Sequence, residues 1–313
     1  MIEVKGLTKQ YGSFSAVKDV SFEVGTEHVL GFLGPNGAGK TTVMKILTGY
    51  HYPTSGTALI DGYSIQENPV EVKERIGYLP ENVPLYGDLT VYEYLFFVAN
   101  SRLIPKKDRE TAIQNSLDAC GLPHVAKQRI ETLSKGYKQR VGLAQAIIHD
   151  PPILILDEPT TGLDPNQIIE IRQLIKELGK RKTVILSTHI LQEVEAICSQ
   201  VLIINEGRIA AQGTPAEIAE SLKGKDTWEL QLKGENVKKK LEKLEAGTEP
   251  AILSENNGLT DVHISVKSGS IDGETIFDWA VAENLKILSM NRKKLTIEDI
   301  FVKLTNEQEE KGE

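Results

Sequence analysis

Gly34-Pro-Asn-Gly-Ala-Gly-Lys40-Thr41-Thr42 follows the apolar run Val29-Leu-Gly-Phe-Leu33 and opens an amphipathic stretch over 41–47 that ends near Gly49. Read as strand, glycine-rich turn and helix, it matches the phosphate-loop pattern G-x-x-x-x-G-K-[ST] in the setting that pattern requires. The glycines let the N–H groups of Gly37, Ala38 and Gly39 turn inward around a β-phosphate. The helix starting near Thr41 points its positive dipole end at the same anion. Lys40 is expected to bridge β- and γ-phosphates and the Thr41 hydroxyl to ligate Mg²⁺. Gly34, Pro35, Asn36 and Thr42 complete the candidate phosphate-binding loop.

Outward from this loop, residues 1–222 alternate short β-branched runs with helical periods, as an α/β domain with a largely parallel core sheet requires. Strands are expected at 153–156, 183–187 and 201–204, with helices at 165–178, 190–198 and 215–222. Residues 90–150 carry helical periods only, which reads as a helical subdomain inserted in the core. A polar break, Lys223-Gly-Lys-Asp, follows, and both tryptophans, Trp228 and Trp279, lie beyond it. They suggest a second small core with its own large anchors. Residues 223–305 read β-α-β-β-α-β with a closing helix at 296–304, the order of a ferredoxin-like split unit in a small α+β domain. Residues 306–313 read as a disordered acidic tail.

The 313 residues carry 36 Lys+Arg and 44 Asp+Glu, a net charge of −8. That balance argues against nucleic acid as a partner, since phosphate-backbone affinity needs clustered cations. The acidity is uneven: residues 1–224 carry net −3 and 225–313 net −5, with −3 in the last nine. At 40% hydrophobic the chain can form a buried core. No apolar run approaches the ~18 residues of a bilayer span, and the N-terminus lacks the basic lead and apolar stretch of a secretory signal. Cys120 and Cys198, the only cysteines, are 78 positions apart and read as buried thiols in a reducing cytosol. His28, His51, His124, His149 and His263 form no ligand spacing for a transition metal.

Ile153-Leu-Ile-Leu-Asp157-Glu158 is an apolar strand ending in two carboxylates. A buried strand delivers Asp157 to the sheet's C-terminal edge, where ligands of such sheets collect and where it can hold the metal through a water. Glu158 can orient or deprotonate an attacking water.

Leu133-Ser134-Lys135-Gly136-Tyr137-Lys138-Gln139-Arg140 precedes Asp157 by 23 positions counted from Ser134; Thr161-Gly-Leu-Asp164-Pro165 and Ser187-Thr188-His189 follow it. This ordered set, over residues 2–222, resembles the ATP-binding subunit of ABC transporters. The resemblance implies a P-loop NTPase of the ABC type, a RecA-like mixed sheet core with an inserted helical subdomain, and ATP with Mg²⁺ as ligands. It implies a head-to-tail homodimer in which each ATP lies between one phosphate loop and the partner's Ser134–Gly136 loop. Ser134 can cap the following helix, so its hydroxyl and the next N–H groups form an anion site for the partner's nucleotide. Asp164 resembles the cross-dimer contact, and His189, 32 positions after Asp157, the histidine that touches the γ-phosphate. Tyr11, in Tyr11-Gly-Ser-Phe-Ser-Ala16-Val17, resembles the adenine-stacking aromatic, with Val17 as further apolar lining.

The sequence departs from the family pattern at several positions. The family's usual glutamine is Glu81, a carboxylate able to bind Mg²⁺ directly. Lys135 and Tyr137 replace a glycine and a glutamine of the signature loop. Residues 82–103 carry Leu85, Tyr86, Tyr92, Tyr94, Phe96 and Phe97, read either as a groove for a cytoplasmic helix of a separate multi-span permease or as a helical core. Leu295-Thr-Ile-Glu-Asp-Ile-Phe-Val-Lys-Leu-Thr305 resembles the closing helix of exporter-type ABC ATPases. The implied protein is an ATPase peripheral to the inner face of the cell membrane, driving export. The competing reading is a soluble ABC ATPase acting on nucleic acid or ribosomes. Such proteins carry tandem ATPase domains or a long coiled coil, whereas Lys40 and Ser134 are only 94 positions apart without sustained heptads. A GTPase or small-molecule kinase would leave 133–140 and Asp164 unexplained.

Overall fold

The computed structural model describes residues 1–221, 226–234, 236–241, 244, 248–256, 258–266 and 271–293. The helix expected at 296–304 and the tail expected at 306–313 lie outside the described residues. The chain divides into two units, Met1–Pro215 and Ala216–Glu313, each packed mainly on itself.

The first unit begins with the hairpin Ile2–Tyr11 (β1) and Phe14–Val24 (β2), then Val29–Leu33 (β3) and the helix Lys40–Leu47 (α1). Ser55–Ile60 (β4), Tyr63–Ser64 (β5), the helix Pro69–Arg75 (α2) and Ile76–Leu79 (β6) follow. Next come three helices, Val91–Ser101 (α3), Lys106–Ala119 (α4) and Lys135–Ile147 (α5), with 3₁₀ turns at Pro123–Val125 and Ile130–Thr132. The chain then alternates: Ile153–Asp157 (β7), Pro165–Gly179 (α6), Thr183–Thr188 (β8), Leu191–Ile197 (α7), Gln200–Asn205 (β9) and Arg208–Gly213 (β10). The helix Pro215–Ser221 (α8) straddles the division, so the first unit ends seven positions before the boundary expected at 222.

Six strands form the core sheet in the order β10-β9-β3-β8-β7-β6. Strands β9, β3, β8, β7 and β6 run parallel, and β10 pairs antiparallel with β9. β3, β7 and β8 are buried at every position, which explains their continuous apolar runs. A second, antiparallel sheet, β2-β1-β4-β5, is built from strands in which apolar and polar residues alternate less regularly. Its inner face packs on α1, so Val43, Met44, Ile46 and Leu47 share one buried core with Ile2, Val4 and Ile60 of this sheet and with Phe32 and Ile155 of the parallel one. Phe22 and Phe32 lie 5.6 Å apart in that layer, at a tilt that suits aromatic quadrupoles.

The helical stretch starts from a capping box: Thr90 accepts from the Glu93 N–H while the Glu93 carboxylate accepts from Thr90. α5 lies close on β6, because Gly77 leaves no room for a Cβ, which would sit 2.1 Å from the Ala146 carbonyl oxygen. This close approach fixes the helix that follows Ser134 against the core sheet.

The second unit contains Asp226–Lys233 (β11), Val237–Leu241 (α9), Thr248–Asn256 (β12), Leu259–Val266 (β13), Gly273–Ala282 (α10) and Lys286–Lys293 (β14). Its sheet order, β12-β13-β11-β14 with every neighbour antiparallel, is the ferredoxin-like split βαβ arrangement. Trp228, Leu230, Leu232, Val262, Ile264 and Ile276 form its core, and Trp279 packs against them.

At the end of α5, the ring of His149 meets the Ile76 carbonyl oxygen through Nε2 at 3.2 Å. Burial, and then the nearby Arg102, push the imidazolium down to about 4 from 6.5. The unfolded chain therefore takes up this proton at a pH where the native protein does not, and stability falls as pH drops from 6.5 towards 4. His149→Gln, which keeps a donor for Ile76, is expected to shrink the loss of urea midpoint between about pH 7 and about pH 5.

Candidate functional site

The site follows from the parallel register. Leu33 pairs with Thr188 and Asp157 with Ser187, so β3, β8 and β7 end side by side. The phosphate loop leaves β3, His189 leaves β8, and Glu158 leaves β7 at the same carboxyl edge. Gly34 donates its N–H to the Thr188 carbonyl at 3.4 Å, and a Cβ there would lie 2.4 Å from the Ile204 carbonyl oxygen. Gly39 has φ 107°, a left-handed conformation that glycine adopts without strain, and it caps α1.

Lys40 is 5% exposed. Its Nζ donates to the carbonyls of Gly34 at 2.7 Å and Pro35 at 3.2 Å, and lies 3.3 Å from Glu158 Oε1. Glu158 has φ 48°, an unusual backbone for a non-glycine residue. Ser187 holds it there, because the Glu158 N–H donates to the Ser187 carbonyl at 3.1 Å and to its Oγ at 3.0 Å. The other carboxylate oxygen, Oε2, contacts His189 Nδ1 at 2.9 Å and accepts from Thr161 Oγ1 at 3.2 Å.

Asp157 is 1% exposed and accepts from Ser187 Oγ at 2.5 Å and Thr41 Oγ1 at 3.2 Å. Burial pushes its carboxyl above the usual range; the two hydroxyls pull it down, and the charges of Glu81 and Glu158 add to the rise. A cation set beside these oxygens would relieve that repulsion, and hydroxyl and carboxylate oxygens suit a hard divalent ion.

Lys40, Thr41, Glu158 and His189 border a cleft of about 480 Å³, with Asp157 buried behind it. Tyr11, Asn36, Gly37, Gly39, Lys40, Thr41, Thr42, Glu81, Glu158 and His189 line it. Tyr11 stands at its mouth, 43% exposed, with its ring edge-on to His51. The cleft thus combines an exposed aromatic face, a cation held by backbone carbonyls, and a carboxylate and an imidazole in contact.

Four similarities bear on what the cleft belongs to. Residues 17–161 match the ABC transporter family. Over 98% of its length the chain is 34% identical to the whole of YxlF, an uncharacterized ABC transporter ATP-binding protein of Bacillus subtilis (strain 168). This chain is an ABC ATPase. It is also 43% identical to BcrA, the bacitracin transport ATP-binding protein of Bacillus licheniformis, over 67% of this chain and 68% of BcrA. Its fold is similar to that of the dimeric ATP-binding cassette MJ0796 bound to ADP and Pi in a post-hydrolysis state. There the TM-score is 0.62 at 25% identity, covering 68% of this chain and 98% of that one. As a member of this family the ABC ATPase binds and hydrolyses ATP and energises transport.

Eight of the expected site residues, Val17, Gly34, Pro35, Ala38, Ser134, Gly136, Asp157 and Asp164, are not among those that line the cleft. Ser134 caps α5 by accepting from the Tyr137 N–H at 3.4 Å. Asp164 caps α6 by accepting from the Gln167 N–H at 2.9 Å. Gly136 brings these two helix starts together, since a Cβ on it would lie 2.6 Å from the Gln167 side chain. Tyr137, in the place of the usual glutamine, shares a hydrogen bond with His124 Nε2 at 2.9 Å. Gly34 and Ala38 are buried beneath the phosphate loop, and Ala38 closes its turn by donating to the Pro35 carbonyl at 3.2 Å.

Val17 differs from its expected place: it is fully buried in the core under Gly39, and the cleft is lined instead by Phe14 and Ala16. Strand alternation is the physical reason, since successive side chains of β2 face opposite ways. The pairing of Tyr11 with Phe14 puts Phe14 beside the aromatic already singled out. Ser187 and Thr161 belong to motifs quoted from the sequence but gain no role from it, because nothing local marks a serine inside a buried strand as a link between Asp157 and Glu158.

Because burial holds the Asp157 carboxyl above its unfolded value of 3.8, ionising it disfavours the folded state as pH rises through that window. Asp157→Asn is expected to raise the thermal midpoint at neutral pH while abolishing ATP hydrolysis. Its stability gain should shrink as the pH is lowered towards the ordinary carboxylate range, which a calorimetric pH series would read.

Proposed function

We propose that this ABC ATPase works as a head-to-tail homodimer that closes on two ATP molecules and drives export through a separate multi-span permease. It would sit in the cytoplasm against the inner face of the cell membrane. The observation that carries the dimer is the split of the site: Ser134 and Gly136 stand at the start of α5, outside the chain's own cleft. A helix start with free N–H groups suits an anion, which a second copy's nucleotide would supply. The similar MJ0796 cassette, dimeric and bound to ADP and Pi, supports a dimer.

In this reading Tyr11 stacks on adenine, and Lys40 with the N–H groups of the phosphate loop binds the β- and γ-phosphates. Thr41, Asp157 and Glu81 would hold Mg²⁺, which supplies charge neutralisation on the phosphate oxygens. Glu158 takes the proton of the water that attacks the γ-phosphorus, and His189 keeps that carboxylate aimed and touches the γ-phosphate. The products are ADP and inorganic phosphate. Asp164 reaches across the dimer and couples the two sites. Residues 1–222 form the ATPase domain with its helical insert at about 90–150, and 223–305 an accessory domain.

The permease is proposed to dock in a groove of about 540 Å³ between the core and α3, lined by Tyr50, Tyr78, Tyr86, Phe97, Lys73 and Arg102. Tyr86 and Phe97 lie 5.4 Å apart and are each about half exposed, which favours an interface over a closed core. Differential binding of the open and closed dimers would then convert hydrolysis into movement of the docked helix. Similarity to BcrA supports the transport reading.

Glu158→Gln is expected to keep ATP binding, to lose about 10²-fold or more in hydrolysis, and to accumulate as an ATP-bound dimer on size exclusion. Lys40→Ala should instead weaken nucleotide binding itself. Wild-type turnover in Glu158→Gln would overturn the assignment, and a monomer under saturating ATP would overturn the dimer.

A further inference from the structure

Beneath the cleft lies a carboxylate that none of the chemistry above uses. Glu193, in the first turn of α7, is 1% exposed. Burying a charge costs several kcal/mol unless donors surround it. Here each oxygen has its own donor. Oε1 accepts from Thr160 Oγ1 and lies 3.6 Å from Arg172 Nη2, while Oε2 accepts from Thr188 Oγ1 at 2.7 Å.

The two threonines belong to different turns of the site. Thr160 is two residues after Glu158, and its carbonyl accepts from the Leu163 N–H at 3.2 Å in the turn that leads to Asp164. Thr188 is the residue before His189. Its carbonyl accepts from the Gly34 N–H and its hydroxyl from the Ile190 N–H at 3.0 Å. Both threonines are almost fully buried. The fork of one carboxylate therefore sets the separation between the turn that carries Glu158 and the turn that carries His189, and those two side chains touch at 2.9 Å.

We infer that Glu193 is a positioning residue for hydrolysis: its two oxygens tie the Glu158 turn to the His189 turn and so hold the carboxylate that acts on the attacking water. This rests on the reading that Glu158 performs that step. The carboxylate is suited to the task where a hydroxyl or an apolar side chain is not. It accepts from both threonines at once, it is rigid between its oxygens, and Arg172 offsets its charge. Glu193 is not among the residues that line the cleft, so its loss should leave the nucleotide's own contacts in place.

The test is a double-mutant cycle on the full chain, read as steady-state ATP hydrolysis. Glu193→Ala should lower kcat about 10- to 100-fold, as a displaced reacting group does, with KM for ATP within about twofold of wild type. Glu193→Gln, which keeps the length and one acceptor, should recover a larger share of kcat than Glu193→Ala. In a Glu158→Gln background, Glu193→Ala should change the residual rate by less than about twofold, because the group it positions is gone. If Glu193→Ala fails to fold, Thr188→Val removes one prong of the fork at nearly constant shape and enters the same cycle. Equal fold-losses in both backgrounds, or a rise in KM at unchanged kcat, would overturn the inference while leaving Glu158 in its role. A Glu158→Gln protein that turns over normally would overturn both.

Discussion

The buried carboxylate of Asp157 is the point on which the other parts converge. It ends a strand with no exposed residue, and Ser187 from β8 and Thr41 from α1 each give it a hydroxyl. Those two donors come from distant parts of the sequence and meet only if β7, β8 and the phosphate loop are in register. An ionised group so placed would be strongly unfavourable without them. The same register carries Lys40 to Glu158 and Glu158 to His189, so a slip of one strand would disassemble the cleft and strand a charge in the core. The site's electrostatics and the sheet's pairing are thus one constraint.

Packing around α1 makes that constraint rigid. The helix is held between the antiparallel sheet and the parallel one, with Met44, Ile46 and Leu47 fully buried. Its N-terminus can therefore move little relative to β3 and β7, and anion binding there costs little ordering. Glu158 keeps its left-handed backbone because Ser187 supplies two acceptors for its N–H, a local strain of the kind found where a reactive side chain must be aimed. The helical insert is attached at a different place, through the close approach of α5 to Gly77, so Ser134 and Gly136 are carried by an element with its own anchor.

Much of this was legible in the sequence, and unevenly so. β3, β7, β8 and β9 were readable within about two residues because strands buried on both faces are continuous apolar runs. The helix after Lys40 was readable because its glycine turn is local chemistry. The βαββαβ order of the second unit was readable from the same periodicity, and its antiparallel pairing agrees with the ferredoxin-like expectation. The sheet of β1, β2, β4 and β5 was not anticipated, since half-buried strands with bulges blur the period of two. The exchange of Val17 for Ala16 and Phe14 in the cleft wall follows from the alternation of β2, a strand not anticipated from the sequence.

What the sequence determined by itself is the chemistry that depends on residue type and short spacing. The glycines, lysine and threonine of the phosphate loop, the acidic pair after an apolar strand and the helix cap at Ser134 all act through neighbours a few positions away. What only the tertiary structure decided is which distant groups share a charge. The contact of Lys40 with Glu158, the hydroxyls on Asp157 and the fork of Glu193 between Thr160 and Thr188 join residues up to 118 positions apart. Buried polar groups must be satisfied, but which partner satisfies them is set by strand order and register, and these follow from the packing of the whole core.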